Sequence, residues 1–442
     1  MTYHNAVKYI LSAPSKNGAA ESFERIRLLS ARLGSPHRHI KYVRFGGSNG
    51  KTVCQTMLSR ILTESKIKVG SLLMPAYDDP RENILICDSP LSMQDTVRHV
   101  SRIVEAVNSL KTEIECFKND DAITESDIPE AIISGKISIE PTKNEIIFLM
   151  ALLSFAEAGC SICLIECDHN GADPTKMLAP PFSTVICGTI PGENTKETYR
   201  IRSYLQRGIT EVISAPQNGE TYKIISSACA RINCRLSVPT RSQLQITRLS
   251  LGGSEFSYRG EKYSLGLCGR FQIHNATTVI ETVHMLERTG FRIDRTAISR
   301  ALTSISVRSK FETLSIFPTI IADSTHKSEA VDTMCDTLGD FKQQTGDKLC
   351  LCISPDKELI EEYAKSLNAH GYTLEQIIVA SDKESFDPSG MDLGVDVTVI
   401  PSFKAVAKNV ISAAKENGFV LITGDAKTAD EVRKEVLRIL EF

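Results

Sequence analysis

Residues 39–62, HIKYVRFGGSNGKTVCQTMLSRIL, constrain this chain more than any other stretch. A short apolar run leads into Gly-Gly-Ser-Asn-Gly-Lys-Thr, and a helical pattern follows. Glycines at 46, 47 and 50 let the main chain come close to an anion and turn its N–H groups inward. The helix behind them adds the positive end of its dipole. Lys51 supplies a point charge for β- and γ-phosphates, and Thr52 a hydroxyl for Mg²⁺. The stretch therefore predicts a strand, a phosphate loop formed by Gly47, Ser48, Asn49, Gly50, Lys51 and Thr52, and a helix. The general Walker pattern begins with a glycine where Phe45 stands, so this is a shorter variant. The competing reading is a glycine turn with a chance Gly-Lys-Thr; the strand before it and the helix after it favour phosphate.

A chain of 442 residues is too long for one ordinary core, so two or three domains are expected. Apolar residues make up 42% and charged residues 24%, the balance of a globular protein. The formal charge is −3, without a basic block or acidic tail, which argues against nucleic acid or anionic membranes as partners. No run reaches the roughly 20 apolar residues of a membrane span. The N-terminal MTYHNAVKYILSAPSKNG lacks the basic and apolar regions of a secretory signal, so a cytoplasmic protein is expected. Thirteen scattered cysteines, many in apolar runs such as KLCLCIS, read as buried reduced thiols. The spacing of Cys160, Cys163 and Cys167 suggests zinc, but alternate strand residues point to opposite faces and no second cluster follows.

Along the chain, 22–33 repeats apolar residues at helical spacing and Gly34-Ser35-Pro36 closes the helix. The strand into the glycine turn, the helix after it and a second strand at KVGSLLM make a βαβ unit, hence a parallel sheet. Residues 78–95 read as a polar surface loop, and helices are expected over 95–110 and 144–159. Strands follow at SICLIECD, STVICGTI and TEVISAPQ, and 244–268 alternates as antiparallel strands around two glycine turns. After about residue 304 a second βα series begins, with strands at FPTIIADS, KLCLCISP, EQIIVAS, VTVIPS and FVLITGD. The fold class expected is α/β: a P-loop parallel-sheet ATPase domain over 1–304, then a smaller Rossmann-like C-terminal domain over 305–442.

These motifs, in this order, resemble the folylpolyglutamate synthase/dihydrofolate synthase branch of the Mur ligase superfamily. The resemblance is carried by FERIRLLSARLGSPHRHIKYVRFGGSNGKT, KVGSLLMPAY, SFAEAGCSICLIECDHNGADPT, GRFQIHNATTVIETVHML and SKFETLSIFPTIIADSTHKSEAV. It implies ATP-dependent amide ligation: a carboxylate attacks the γ-phosphate, and the amine of glutamate then displaces phosphate from the acyl phosphate. Catalysis of that kind is mostly charge neutralisation and positioning. The resemblance places Lys51 on the phosphates, Thr52 and Glu166 on Mg²⁺, Asn275 at an adenine contact, and Asp323 and His326 at nucleotide contacts. Lys310 stands where the family has an arginine, and so keeps charge without the bidentate fork. From the residues alone, Glu166 is also a strand-end carboxylate that solvent could hold, and Asp323 and His326 read equally as a helix cap and a surface histidine.

Several positions depart from the family pattern. A metal-neighbouring serine is replaced by Met74, a poor ligand for a hard cation, and the histidine beside it by Ala76. The family's metal-binding histidine aligns with Asn194, within Glu193-Asn194-Thr195, where a carbonyl oxygen is still on offer. The carbamylated lysine aligns with Gln206, while Asp168 and His169 are either substitute ligands or an exposed polar loop. Three readings follow: a ligase adding glutamate to a folate-type carboxylate, a same-fold ligase with a non-folate substrate, or a nucleotide-binding pseudoenzyme. The first is favoured, with ATP and Mg²⁺ as cofactors, Lys51 and Lys310 as catalytic residues, Thr52, Glu166 and Asn194 at the metal, and a monomer acting on small molecules.

Overall fold

The computed structural model describes residues 1–14, 19–74, 79–119, 128–167, 178, 181–190, 203, 205–326, 328–381, 386–391 and 393–440. They gather into two compact units, Met1–Pro239 with Asn275–Ala301, and Thr240–His274 with Leu302–Phe442. The sequence division at 304/305 follows chain order, whereas contacts group 240–274 with the later residues.

The first unit is built on β1 (Tyr42–Gly47), whose six residues are all buried. A strand covered on both faces has no polar side to alternate with, which is why it reads as a continuous run. Its sheet is completed among the described residues by β2 (Val69–Leu72), β3 (Ile84–Ile86), β4 (Ser89–Pro90), β5 (Ile162–Glu166), β6 (Ser183–Cys187), β7 (Glu211–Ser214) and β8 (Arg235–Ser237). The order is β4-β3-β2-β5-β1-β6-β7-β8, with β3 and β4 antiparallel at one edge and the rest parallel. Residues 84–90 are thus an edge hairpin inside the segment read as a surface loop. Strands this short carry no period of their own, and their place is set by pairing with β2, Gly70 opposite Ile86.

One face of this sheet is covered by the helices Met93–Asn119 and Lys143–Ala158. The second is buried from Glu145 to Phe155 and so is apolar nearly all round. Its first turn closes with a capping box, Thr142 and Glu145 each bonding the other's main-chain N–H. The same Glu145 receives both Nε and an Nη of Arg25 at 2.9 and 3.0 Å, and another Arg25 nitrogen donates to Ser138 O at 2.6 Å. Arg25 is wholly buried, so this pair anchors the helix Ala19–Arg32 to the start of Lys143–Ala158.

The second unit holds a three-stranded antiparallel sheet, β9 (Leu244–Ser250), β10 (Gly253–Tyr258) and β11 (Glu261–Leu265). Arg259 and Gly260 both have positive φ (52° and 81°), the twist a two-residue hairpin turn needs. Its larger sheet contains β12 (Glu312–Ser315), β13 (Thr319–Ala322), β14 (Lys348–Ile353), β15 (Thr373–Ala380), β16 (Val397–Ile400) and β17 (Phe419–Ile422). The order is β12-β13-β17-β14-β15-β16, parallel except for β12. Alternate residues go to opposite cores. Leu349, Leu351 and Ile353 pack with the helices Ser328–Gly339 and Lys357–Ala369, while Cys350 and Cys352 pack with Phe403–Asn417 and Ala426–Leu440. A parallel sheet covered by helices on both faces is the Rossmann-like architecture expected.

Removing one partner of the Arg25–Glu145 pair strands a buried charge. Glu145→Ala is expected to cost about 3–5 kcal/mol in a denaturant titration, and the double change Arg25→Met with Glu145→Leu distinctly less.

Candidate phosphate-binding site

β1 lies between β5 and β6, with Phe45 opposite Glu166 and Gly47 opposite Cys187. The helix that follows β1 carries the chain to β2 on one side, while β6 lies on the other. The end of β1 is therefore the point where an open α/β sheet reverses its winding, and ligands bind there outside the carboxyl ends of the strands.

Two glycines of the loop are required both by φ and by space. Gly47 has φ +108°, and a Cβ there would stand 2.2 Å from Cys187 O. Gly50 has φ +84°, and a Cβ there would stand 2.6 Å from Asn275 Oδ1. Asn275 belongs to the helix Arg270–Arg288 and is nearly buried, so its side chain closes on the loop at the position where the helix Lys51–Glu64 begins. Ser48 ties the loop to its neighbour: its N–H donates to Cys187 O at 3.1 Å and its Oγ to Thr189 O at 3.0 Å.

Lys51 is buried, and its Nζ donates to Ser48 O at 2.8 Å and to Gly47 O at 3.5 Å. The ammonium thus lies folded over its own loop, on the side an anion would occupy. Thr52 Oγ1 donates to Glu166 Oε2 at 3.0 Å, and the same oxygen accepts the N–H of Met74 at 3.4 Å. Residues 114 apart in sequence are thereby joined. A hydroxyl and a carboxylate at the start of the loop helix suit a hard divalent cation, so the donor set fits Mg²⁺. Met74 itself belongs to the apolar cluster with Leu72, Ile84 and Ile165; its side chain packs in the core while its main chain reaches Glu166. Asn194 lies outside the described residues, as do Ala76, Asp168, His169, Glu193 and Thr195. Gln206 is half-buried shortly before β7.

Within the second unit, the structure brings Lys310, Asp323 and His326 together at the end of β13. Lys310 Nζ donates to Ser324 Oγ at 2.9 Å. Asp323 accepts the N–H groups of Phe311 and Thr325, each at 2.8 Å, and so caps its own turn and holds the neighbouring strand. His326 is exposed, with Nδ1 3.0 Å from Ser324 O; a carbonyl accepts, so Nδ1 donates to it. Ser309 and Phe311, on either side of Lys310, both have positive φ (49° and 56°), an uncommon conformation for either. Glu312 receives the Ser309 N–H at 2.9 Å, and Asp323 that of Phe311, which holds the strained segment in place. Below the turn, the buried Tyr363 hydroxyl donates to Thr325 O at 3.0 Å. Burial and the charge of Asp323 push that phenol well up, so it stays a donor.

Sequence reasoning missed Gly188, Thr189, Glu312, Ser324 and Tyr363, which are assembled only by sheet order. Gly188 carried a readable signal, a glycine directly after an apolar strand.

No protein-family model matches the chain. The probable bifunctional folylpolyglutamate synthase/dihydropteroate synthase of Haloferax volcanii is 23% identical over 358 residues, 77% of this chain and 39% of that protein. The chain thus spans about two fifths of the length of that relative. The dihydrofolate synthase/folylpolyglutamate synthase of Bacillus subtilis is 22% identical over 445 residues, 95% of this chain and 96% of that one. An FPGS–AMPPCP–folate complex superposes with a TM-score of 0.77 over 99% of this chain and 100% of its own, at 19% identity. The chain is thus similar in sequence to folylpolyglutamate and dihydrofolate synthases and has the fold of a folylpolyglutamate synthase. The loop, its helix and Glu166 stand together at the switch point of a sheet of that fold.

Gly50→Ala places a methyl against Asn275 in a backbone conformation that alanine resists. The variant is expected to bind AMPPCP at least about tenfold more weakly by calorimetry, and to unfold at a lower midpoint.

Proposed function

We propose that the chain is an ATP-dependent amide ligase that adds glutamate to a folate-type carboxylate, a step of one-carbon metabolism. The observation that carries this reading is the loop with Lys51 and Thr52 set against Glu166. The substrate carboxylate attacks the γ-phosphorus, ADP leaves, and an acyl phosphate forms; the glutamate amine then attacks the acyl carbon and inorganic phosphate leaves. The loop N–H groups and Lys51 hold the β- and γ-phosphates and neutralise charge that builds on them. Thr52 and Glu166, with Asn194, are the residues that would hold Mg²⁺, which supplies further charge neutralisation when bound. Asn275 at Gly50 takes the nucleotide beside the loop. Asp323 and His326 are assigned to nucleotide contacts, and Lys310 to the transferred phosphoryl group.

Support comes from relatives whose names state this activity, and from a structural neighbour with AMPPCP and folate. In domain terms, 1–304 is the ATP-binding part and 305–442 the ligase part. We place the protein in the cytoplasm as a monomer acting on small molecules; no described helix is long and apolar enough to cross a membrane. A second reading, a same-fold ligase with a non-folate substrate or a nucleotide-binding pseudoenzyme, is favoured by one feature. Met74 spends its side chain in the core and leaves only main chain beside Glu166, so the metal end is built differently from the family pattern.

Purified protein with Mg·ATP and glutamate is expected to release ADP when tetrahydrofolate or dihydropteroate is added, and Lys51→Ala to lower that rate by about 100-fold or more. ADP release indifferent to both folates, with ATP still bound, would move the assignment to the second reading.

A further inference from the structure

On the β6 side the phosphate loop rests against Cys187, Gly188 and Thr189, a segment held in turn by a residue outside every phosphate motif. We propose that Gln217 is a positioning residue for the phosphate loop, acting through the segment Gly188–Ile190. The proposal rests on the reading of the loop as a nucleotide triphosphate site.

Gln217 lies half-buried after β7, and both ends of its amide are used. Its Nε2 donates to Gly188 O at 2.8 Å and to Ala215 O at 3.1 Å, while its Oε1 accepts the Ile190 N–H at 2.9 Å. Thr189 Oγ1 donates to Pro216 O at 3.2 Å, and Thr221 Oγ1 to Ile190 O at 3.2 Å. The main chain of 188–190 is thus strapped to the start of the helix Gly219–Ile232, with the glutamine amide bridging its two ends. One amide can do this because it carries both a donor and an acceptor, which neither a carboxylate nor an apolar side chain does.

The strap is in turn the surface on which the phosphate loop rests. Gly188 has φ +68°, and a Cβ there would come within 2.7 Å of both Asn49 O and Ser48 Oγ. Ser48 Oγ donates to Thr189 O on the same strap, and Ser48 N–H to Cys187 O just before it. The strap side thus takes both the N–H and the hydroxyl of Ser48, while Lys51 takes its carbonyl, so the course of the loop at Ser48 and Asn49 is set by where the strap lies. Displacing it rotates the loop peptides at the phosphate end and leaves the Asn275 side of the loop in place.

The test is calorimetric titration of the full chain with Mg·AMPPCP and, separately, with adenosine, for the unchanged protein, Gln217→Met and Lys51→Ala. Methionine keeps the volume of glutamine and removes its hydrogen bonds. Gln217→Met is expected to weaken AMPPCP about tenfold, the scale of one or two hydrogen bonds, and to leave adenosine within about twofold. Unchanged AMPPCP affinity would overturn the proposal, and equal losses for both ligands would reduce Gln217 to a purely structural residue. If Gln217→Met does not fold, Gly188→Ala takes its place, pressing directly on Ser48 and Asn49 with the same selective loss expected and the same outcomes overturning it. AMPPCP binding that is missing from the unchanged protein, or indifferent to Lys51→Ala, defeats the nucleotide reading itself rather than the role of Gln217.

Discussion

The parallel pairing of β1 with β5 on one side and β6 on the other is the constraint on which the site depends. A parallel ladder aligns strand ends, so Phe45 opposite Glu166 and Gly47 opposite Cys187 bring three strand ends to one edge. The approach is so close that no side chain fits at Gly47, because the carbonyl of Cys187 occupies the place of its Cβ. The glycine there answers to a neighbouring strand, and the same Cys187 carbonyl takes the N–H of Ser48.

The second unit reaches a comparable result by other means. Its segment leading into β12 is held by carboxylates on main-chain N–H groups, Asp323 on Phe311 and Glu312 on Ser309, across two residues with positive φ. Arg433 in turn donates to both oxygens of Glu312, at 2.5 and 2.8 Å. Strain of about 1–3 kcal/mol per residue persists only where surroundings over-determine it, and here a charged network does so. The outcome is Lys310 displayed on a rigid segment beside Ser324.

Departures from the family pattern acquire a physical meaning once the side chains are placed. Met74 looked like a failed ligand, but a thioether in an apolar cluster is an ordinary core residue. What the position contributes is an N–H to Glu166, and any residue except proline carries one. The position thus keeps a main-chain donor to Glu166 and offers no side-chain oxygen there.

Much of the architecture was legible because period and glycine placement are local properties. The six buried residues of β1, the loop glycines and the helix behind them could be read in one stretch, and so could the two-face alternation of KLCLCI in β14. The hairpin at 84–90 was not legible, since two or three residues hold no period and only β2 gives them a place. The partnership of Thr52 with Glu166 came from resemblance, and the sheet order supplied its geometry. Gln217 could not have been found at all: nothing in APQNG distinguishes it from a turn residue. Its importance arises because β7 lies next to β6, which puts a glutamine amide within reach of both ends of the strap under the loop. Local sequence determined which side chains the loop carries, a lysine and a threonine behind its glycines. Tertiary structure alone decided which carboxylate, amide and carbonyls surround it, because parallel sheets bring together residues whose separation along the chain carries no pattern.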